Sequence, residues 1–152
     1  DTLGNVKFDS IIIADFDESL KSVTTSLLYT DITPKKKYFI TLNQWFDESL
    51  LKETSSQPLY FPSINKNNYE KFSTEYYKKF NEYPNQLSFL SFDLVGLVYY
   101  LILQNNSAVD NKIFTKKTLF KGKIGIFDIE SNKINHRLNF YEIKEGKLTK
   151  IF

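Results

Sequence analysis

Residues 8–61, FDSIIIADFDESLKSVTTSLLYTDITPKKKYFITLNQWFDESLLKETSSQPLYF, read as strand, helix, strand, helix, strand. The run 8–15 holds three consecutive isoleucines and ends in an acid. Such a run fits a strand covered on both faces, as in a parallel sheet. Asp17-Glu18-Ser19 opens a helix, because acids sit well in a first turn. Leu20, Val23, Leu27 and Leu28 then form one apolar face, and Thr33-Pro34 closes the segment. Residues 38–42 make a second strand, 47–51 a short helix, and 59–61 a third strand stopped by Pro62. This order predicts right-handed crossovers and an α/β parallel, doubly wound sheet. Ligands of such sheets bind beyond the carboxyl ends of the strands. Asp15, Phe16, Asn43, Gln44 and Trp45 occupy those ends and are the candidate ligand-binding residues.

Further along, residues 67–81 predict a helix with Tyr69, Phe72, Tyr76 and Phe80 on one face and Lys71, Glu75, Lys78 and Lys79 on the other. Tyr83-Pro84-Asn85 breaks the chain. Residues 87–103 form an apolar helix long enough to raise the question of a membrane span. Ser88, Ser91, Asp93 and Gly96 argue instead for a buried helix of a soluble domain, with Asp93 bonding a neighbouring backbone. A polar turn and short helix follow over 105–117, with Ile113 and Phe114 facing inward. The tail reads as antiparallel strands over 123–129 and 137–143 around the turn 130–133, then 148–152 after the turn 144–147. Gly122 and Gly125 mark a bend or a close backbone approach.

At 152 residues the chain can build a real core, and its 14 Phe and 10 Tyr supply much of the volume. Twenty basic and 18 acidic residues nearly balance. Arg137 is the sole arginine, which speaks against a nucleic-acid partner. Lys35-Lys36-Lys37 reads as a solvated turn. With no cysteine, thiol catalysis, disulfides and cysteine-bound metals are excluded. His136 reads as a solvated turn residue, and Asp17-Glu18 and Asp47-Glu48 as helix-start charges. Nothing resembles a catalytic triad, a metal cluster or a phosphate loop, so neither an enzyme, a cofactor nor a metal is expected. The opening Asp1-Thr2-Leu3-Gly4 suggests a piece of a longer protein.

Four stretches together resemble the C-terminal part of a type I periplasmic binding protein of the branched-chain amino-acid receptor kind. These are FDSIIIADFDESLKSV, YFITLNQWFDESLL, NYEKFSTEYYKKFNEYPNQLSFLSFDLVGLVYYLI with its Phe92-Asp93 pair, and FKGKIGIFDIESNKINHRLNFYEIKEGKLTKI with its Gly-x-x-Gly. The likeness spans about residues 6–152. It implies an incomplete two-lobed fold. Residues 1–65 would belong to the second lobe and 66–120 to the first, while 121–152 would return toward the second. It also implies a small polar ligand handed to an ABC-transporter permease, and a periplasmic location. Phe16 falls where amino-acid receptors place an aromatic ligand contact. Asn43 falls where they often carry an acid for the ligand's ammonium group; here that position is neutral. The ending is also similar to the binding-protein-like domain of lipid-anchored lipoproteins that activate peptidoglycan synthases. That relative implies a synthase partner, with Tyr77, Tyr83 and Tyr100 as a contact surface. A half-receptor of this kind further suggests a homodimer.

Overall fold

A computed structural model describes residues 7–42 and 45–152. The chain divides into two compact units, residues 1–63 with 139–152, and residues 64–138. The tail is therefore shared: its first strands stay in the second unit and its last two join the first.

In the first unit, β1 (Ser10–Ile13), β2 (Tyr38–Thr41) and β3 (Leu59–Ser63) are parallel neighbours. Two further strands, which we number β7 (Asn139–Lys144) and β8 (Lys147–Lys150) in chain order, extend the sheet antiparallel, giving the order β1-β2-β3-β7-β8. The crossovers are α1 (Asp17–Leu28) and α2 (Ser49–Lys52). Asp17 and Glu18 stand in the first turn of α1, as the helix dipole favours. In front of α2, the Asp47 carboxylate accepts from the Ser49 N–H at 2.8 Å and from its hydroxyl at 2.7 Å.

Both helices lie on one face of the sheet. Leu20 of α1 and Leu50 of α2 share a buried cluster with Ile13, Phe39, Leu59, Phe61, Tyr141 and Ile143. The strand order rises monotonically from β1 to β3, and right-handed crossovers then fall on the same side. Within the described residues the sheet is wound on one side only, where the sequence predicts winding on both. Ile12 is accordingly 71% exposed, contrary to the reading of its strand as covered on both faces. Pro62 does not stop β3. The pairing of β3 with β2 ends at Tyr60, and Pro62 lies beyond it, opposite Phe140 of β7. On the open face, Tyr60 donates its hydroxyl to Glu142 at 3.0 Å. Burial, and then this bond, push that hydroxyl's pKa up to about 12.

The second unit holds α3 (Lys66–Phe80), α4 (Gln86–Gln104) and an antiparallel sheet of β4 (Thr118–Lys121), β5 (Ile126–Glu130) and β6 (Lys133–Arg137). Asn65 and Asn85 cap α3 and α4, each accepting from a backbone N–H three residues on. Asn81 ends α3 in the left-handed conformation. Leu97 and Leu101 of α4 pack with Ile113 and with Ile129 of β5. Phe72 and Phe89 join α3 to α4, their rings 4.8 Å apart. The predicted run 137–143 is split: it ends one strand and begins another in a different sheet, with Leu138 between them. The other side of α4 is open. Leu87 and Val95 are 71% and 70% exposed, so the helix is buried along one side only.

Candidate functional site

β1 and β2 are in parallel register, with Ile13 beside Thr41. The segments that follow them therefore leave the sheet at the same edge, where an α/β sheet presents ligand-binding residues. After β1 come Ala14, Asp15 and Phe16, then α1. The Asp15 carboxylate accepts from the Phe16 N–H at 3.0 Å and from the Ser19 hydroxyl at 2.8 Å. Those bonds hold the acid at the mouth of the helix. Phe16 is 39% exposed, enough to offer one side of its ring to a ligand. Asn43 and Gln44 lie outside the described residues. Trp45, half-buried, follows them.

Backbone strain gathers at this edge. Asp17, Trp45 and Phe46 have φ of 49°, 48° and 61°; Asp is among the residues that tolerate this left-handed region, whereas bulky Trp and Phe rarely adopt it. Each such residue costs on the order of 1–3 kcal/mol and persists only where the surroundings hold it. For Phe46 the hold is visible: its ring meets Tyr141 at 5.2 Å and Phe61 at 6.3 Å, edge to face. Phe46 thereby anchors the segment that carries Trp45. Charge at the edge is acidic, from Asp15, Asp17 and Glu18, with Glu18 also bonding Lys21 at 2.6 Å. That balance suits a polar ligand bearing a cationic group better than an anion.

Sequence reasoning missed Ser19, whose signal was its position four residues after Asp15 on a helix start. It also missed the buried Thr41 hydroxyl, which donates to the Leu42 carbonyl at 3.1 Å.

A concavity lies within the other unit. It has a volume of about 930 Å³ between α3 and α4, and Phe72, Tyr76, Phe80, Leu87, Phe92 and Val95 line much of it. Its polar groups include Glu75 and Lys123, which pair with each other. Lys79, Asn85, Ser88 and Ser91 also line it, so it combines aromatic walls with a few polar groups, the usual make-up of a small-molecule site.

Also in this unit, the two signatures quoted separately from the sequence bind one another. The buried Asp93 carboxylate of α4 accepts from the backbone N–H groups of Lys123, Ile124 and Gly125 at 2.8, 3.0 and 2.9 Å. A Cβ at Gly122 would overlap that carboxylate, and one at Gly125 would overlap the His136 ring. The bonding role expected of Asp93 is thus realised. His136 is not a solvated turn residue. It sits in β6, opposite Phe127 in register, and stacks on that ring at 4.4 Å. Its Nε2 is buried with no hydrogen-bond partner. Burial lowers its pKa, against the pull of Asp93.

Among solved structures, the fold is similar to an extracellular ligand binding receptor from Desulfohalobium retbaense. The TM-score is 0.63 and the sequence identity 11%, over 93% of this chain and 26% of that one. The chain therefore spans about a quarter of that receptor's length. No protein-family model matches the sequence, and no curated protein does. At this identity the likeness is one of fold, and it agrees with the mixed α/β sheet and the separate antiparallel sheet.

Proposed function

We propose that the chain is part of an extracytoplasmic solute-binding protein that captures a small polar metabolite, amino-acid-like in carrying a cationic group, and delivers it to an ABC transporter. The observation that carries this reading is the strained edge of the first unit. Left-handed Asp17, Trp45 and Phe46 gather where β1 and β2 end, beside an aromatic ring and a carboxylate fixed by hydrogen bonds. Strain of this kind clusters at ligand sites. In this reading Phe16 and Trp45 wall the ligand, while Asp15, Asn43 and Gln44 bond its polar groups. The protein binds and releases without chemistry, and it works in the periplasm, with a lipid anchor available to the longer polypeptide. The receptor-like fold supports the reading, as does the acidic charge of the edge.

Calorimetric titration with a panel of polar metabolites tests it. Once a ligand is found, Phe16→Ala combined with Trp45→Ala is expected to weaken binding at least tenfold. Unchanged affinity in that variant would move the site elsewhere.

One observation favours a second reading, a partner domain of a peptidoglycan synthase. Tyr77 and Tyr83 are exposed and in contact with each other, ring centroids 4.8 Å apart, as an aromatic contact surface would be. Tyr100 does not join them, because it packs on Phe120 at 5.6 Å. A pull-down with periplasmic synthases that recovers none of them counts against this alternative.

A further inference from the structure

The trough between α3 and α4 is lined by residues of the second unit alone. Phe92, Phe72, Tyr76 and Phe80 run along it as a continuous row of rings, with successive centroids 5.2, 5.9 and 4.5 Å apart. Three of the four come from α3, where the four-residue spacing keeps them on one side of the helix. From α4 come Ser88, Ser91 and Gly96, whose small side chains leave room beside the rings. The resulting volume, about 930 Å³, lies within the range of small-molecule sites. The outer side of α4 is a different surface. Leu90, Leu94, Tyr99 and Leu103 are exposed there, and none of them lines the trough.

The charges in the trough do not cancel. Lys123 stands over the Phe92 and Phe72 rings, 5.7 and 6.0 Å from their centroids, and is paired with Glu75. Lys79 stands over Phe80, at the other end of the row, 5.3 Å from its centroid. No carboxylate pairs with Lys79 among the described residues. The uncompensated charge is therefore one ammonium group. Among the neutral groups, the Asn85 carbonyl is engaged, accepting from the Ser88 N–H and hydroxyl at 2.9 and 3.1 Å. Its amide N–H groups remain to donate, as does the Ser91 hydroxyl. A row of rings, one spare cation and neutral donors complement a flat apolar anion. Aromatic rings stack or meet edge to face at 4.5–7 Å, and a carboxylate gains a charge-assisted bond from an ammonium group. A cationic ligand would instead meet Lys79 as a like charge.

We propose that this trough is a binding site for a small aromatic carboxylate. Its ring system lies on Phe72, Tyr76 and Phe80, and its carboxylate is held by Lys79, with Ser91 and the Asn85 amide as further donors. This ligand is opposite in charge to the one assigned to the β1–β2 edge, and no residue of that edge takes part, so either site can fail without the other.

Calorimetric titration with 2-naphthoate, beside its neutral analogue 2-naphthalenemethanol, tests the site. The chain is expected to bind one naphthoate saturably and about fivefold more tightly than the alcohol, as suits a partly exposed charge pair. Lys79→Gln, at an exposed position, is expected to bring the two affinities within about twofold of each other while far-UV circular dichroism stays unchanged. Ser91→Leu, also at an exposed position, fills the space beside the rings and is expected to weaken both compounds about tenfold. The longer polypeptide is expected to bind naphthoate as the chain does. No saturable binding of either compound would overturn the proposal, as would equal affinity for both in the unaltered chain. So would binding indifferent to Ser91→Leu. Loss of binding in the longer polypeptide would overturn it as well, and would show that the rest of the protein fills the trough.

Discussion

Asp93 shows how much one side chain can organise. Its carboxylate accepts from three consecutive backbone N–H groups. Asp93→Ala takes the acceptor from all three donors, and leaves those of Ile124 and Gly125 buried and unpaired, each costing about 1–3 kcal/mol. We expect at least ~2 kcal/mol of lost stability in urea unfolding, and a loss under ~1 kcal/mol would show that the loop stands without it. The role was legible as a lone acid in an apolar helix. His136 was not legible, because a polar residue beside Arg137 looks solvated. In the fold, Arg137 donates from its Nη2 to Asp128 at 2.8 Å and is exposed, while His136 alternates to the covered face. The groups facing His136 are apolar on the strands, Phe120 and Phe127 among them, and Asp93 is the charge that reaches it from α4. Because its folded pKa lies below the unfolded value near 6.5, the unfolded chain binds the proton more readily. His136 therefore contributes stability above about pH 6.5 that fades as pH falls below that value. Chemical unfolding from pH 7.5 to 5 is expected to show that loss, and His136→Phe to reduce it. An identical pH slope in the variant would contradict the assignment.

At the scale of elements, periodicity and punctuation identified the helices well, because caps and apolar faces are local. Asn65, Asn81 and Asn85 sit where helices start or stop. What local signals could not show is which sheet a strand joins. The alternation in 137–143 runs on smoothly, yet Leu138 separates two strands with different partners. Burial of the 8–15 run was likewise misjudged, since three isoleucines say nothing about whether a helix covers each face. Turns are a middle case. Glu145 and Gly146 join β7 to β8 with φ of 52° and 71°, the two left-handed positions of a tight hairpin that favours Asn-Gly. Glu145→Asn is expected to raise stability by about 0.5–1 kcal/mol, read as a higher urea midpoint at unchanged slope. A lowered midpoint would mean that the glutamate side chain holds the turn by other contacts.

For the whole molecule, the sequence pattern conveyed an α/β chain with closing antiparallel strands, and the likeness in fold to an extracellular ligand binding receptor agrees with that architecture. The candidate edge was legible from topology alone, since carboxyl ends of parallel strands are where ligands go. The strain at Asp17, Trp45 and Phe46 was not, because backbone angles leave no trace in residue type when bulky side chains occupy them. That edge also carries the most direct probe of the proposed function. Trp45 is the only tryptophan in the chain, so its emission reports from the site itself. The decisive measurement is tryptophan fluorescence during titration with small polar metabolites, cationic amino-acid-like compounds first. A saturable shift in emission for one compound, abolished by Phe16→Ala, is the expected result. Binding detected by calorimetry without any change in Trp45 emission would place the ligand elsewhere and contradict the assigned site.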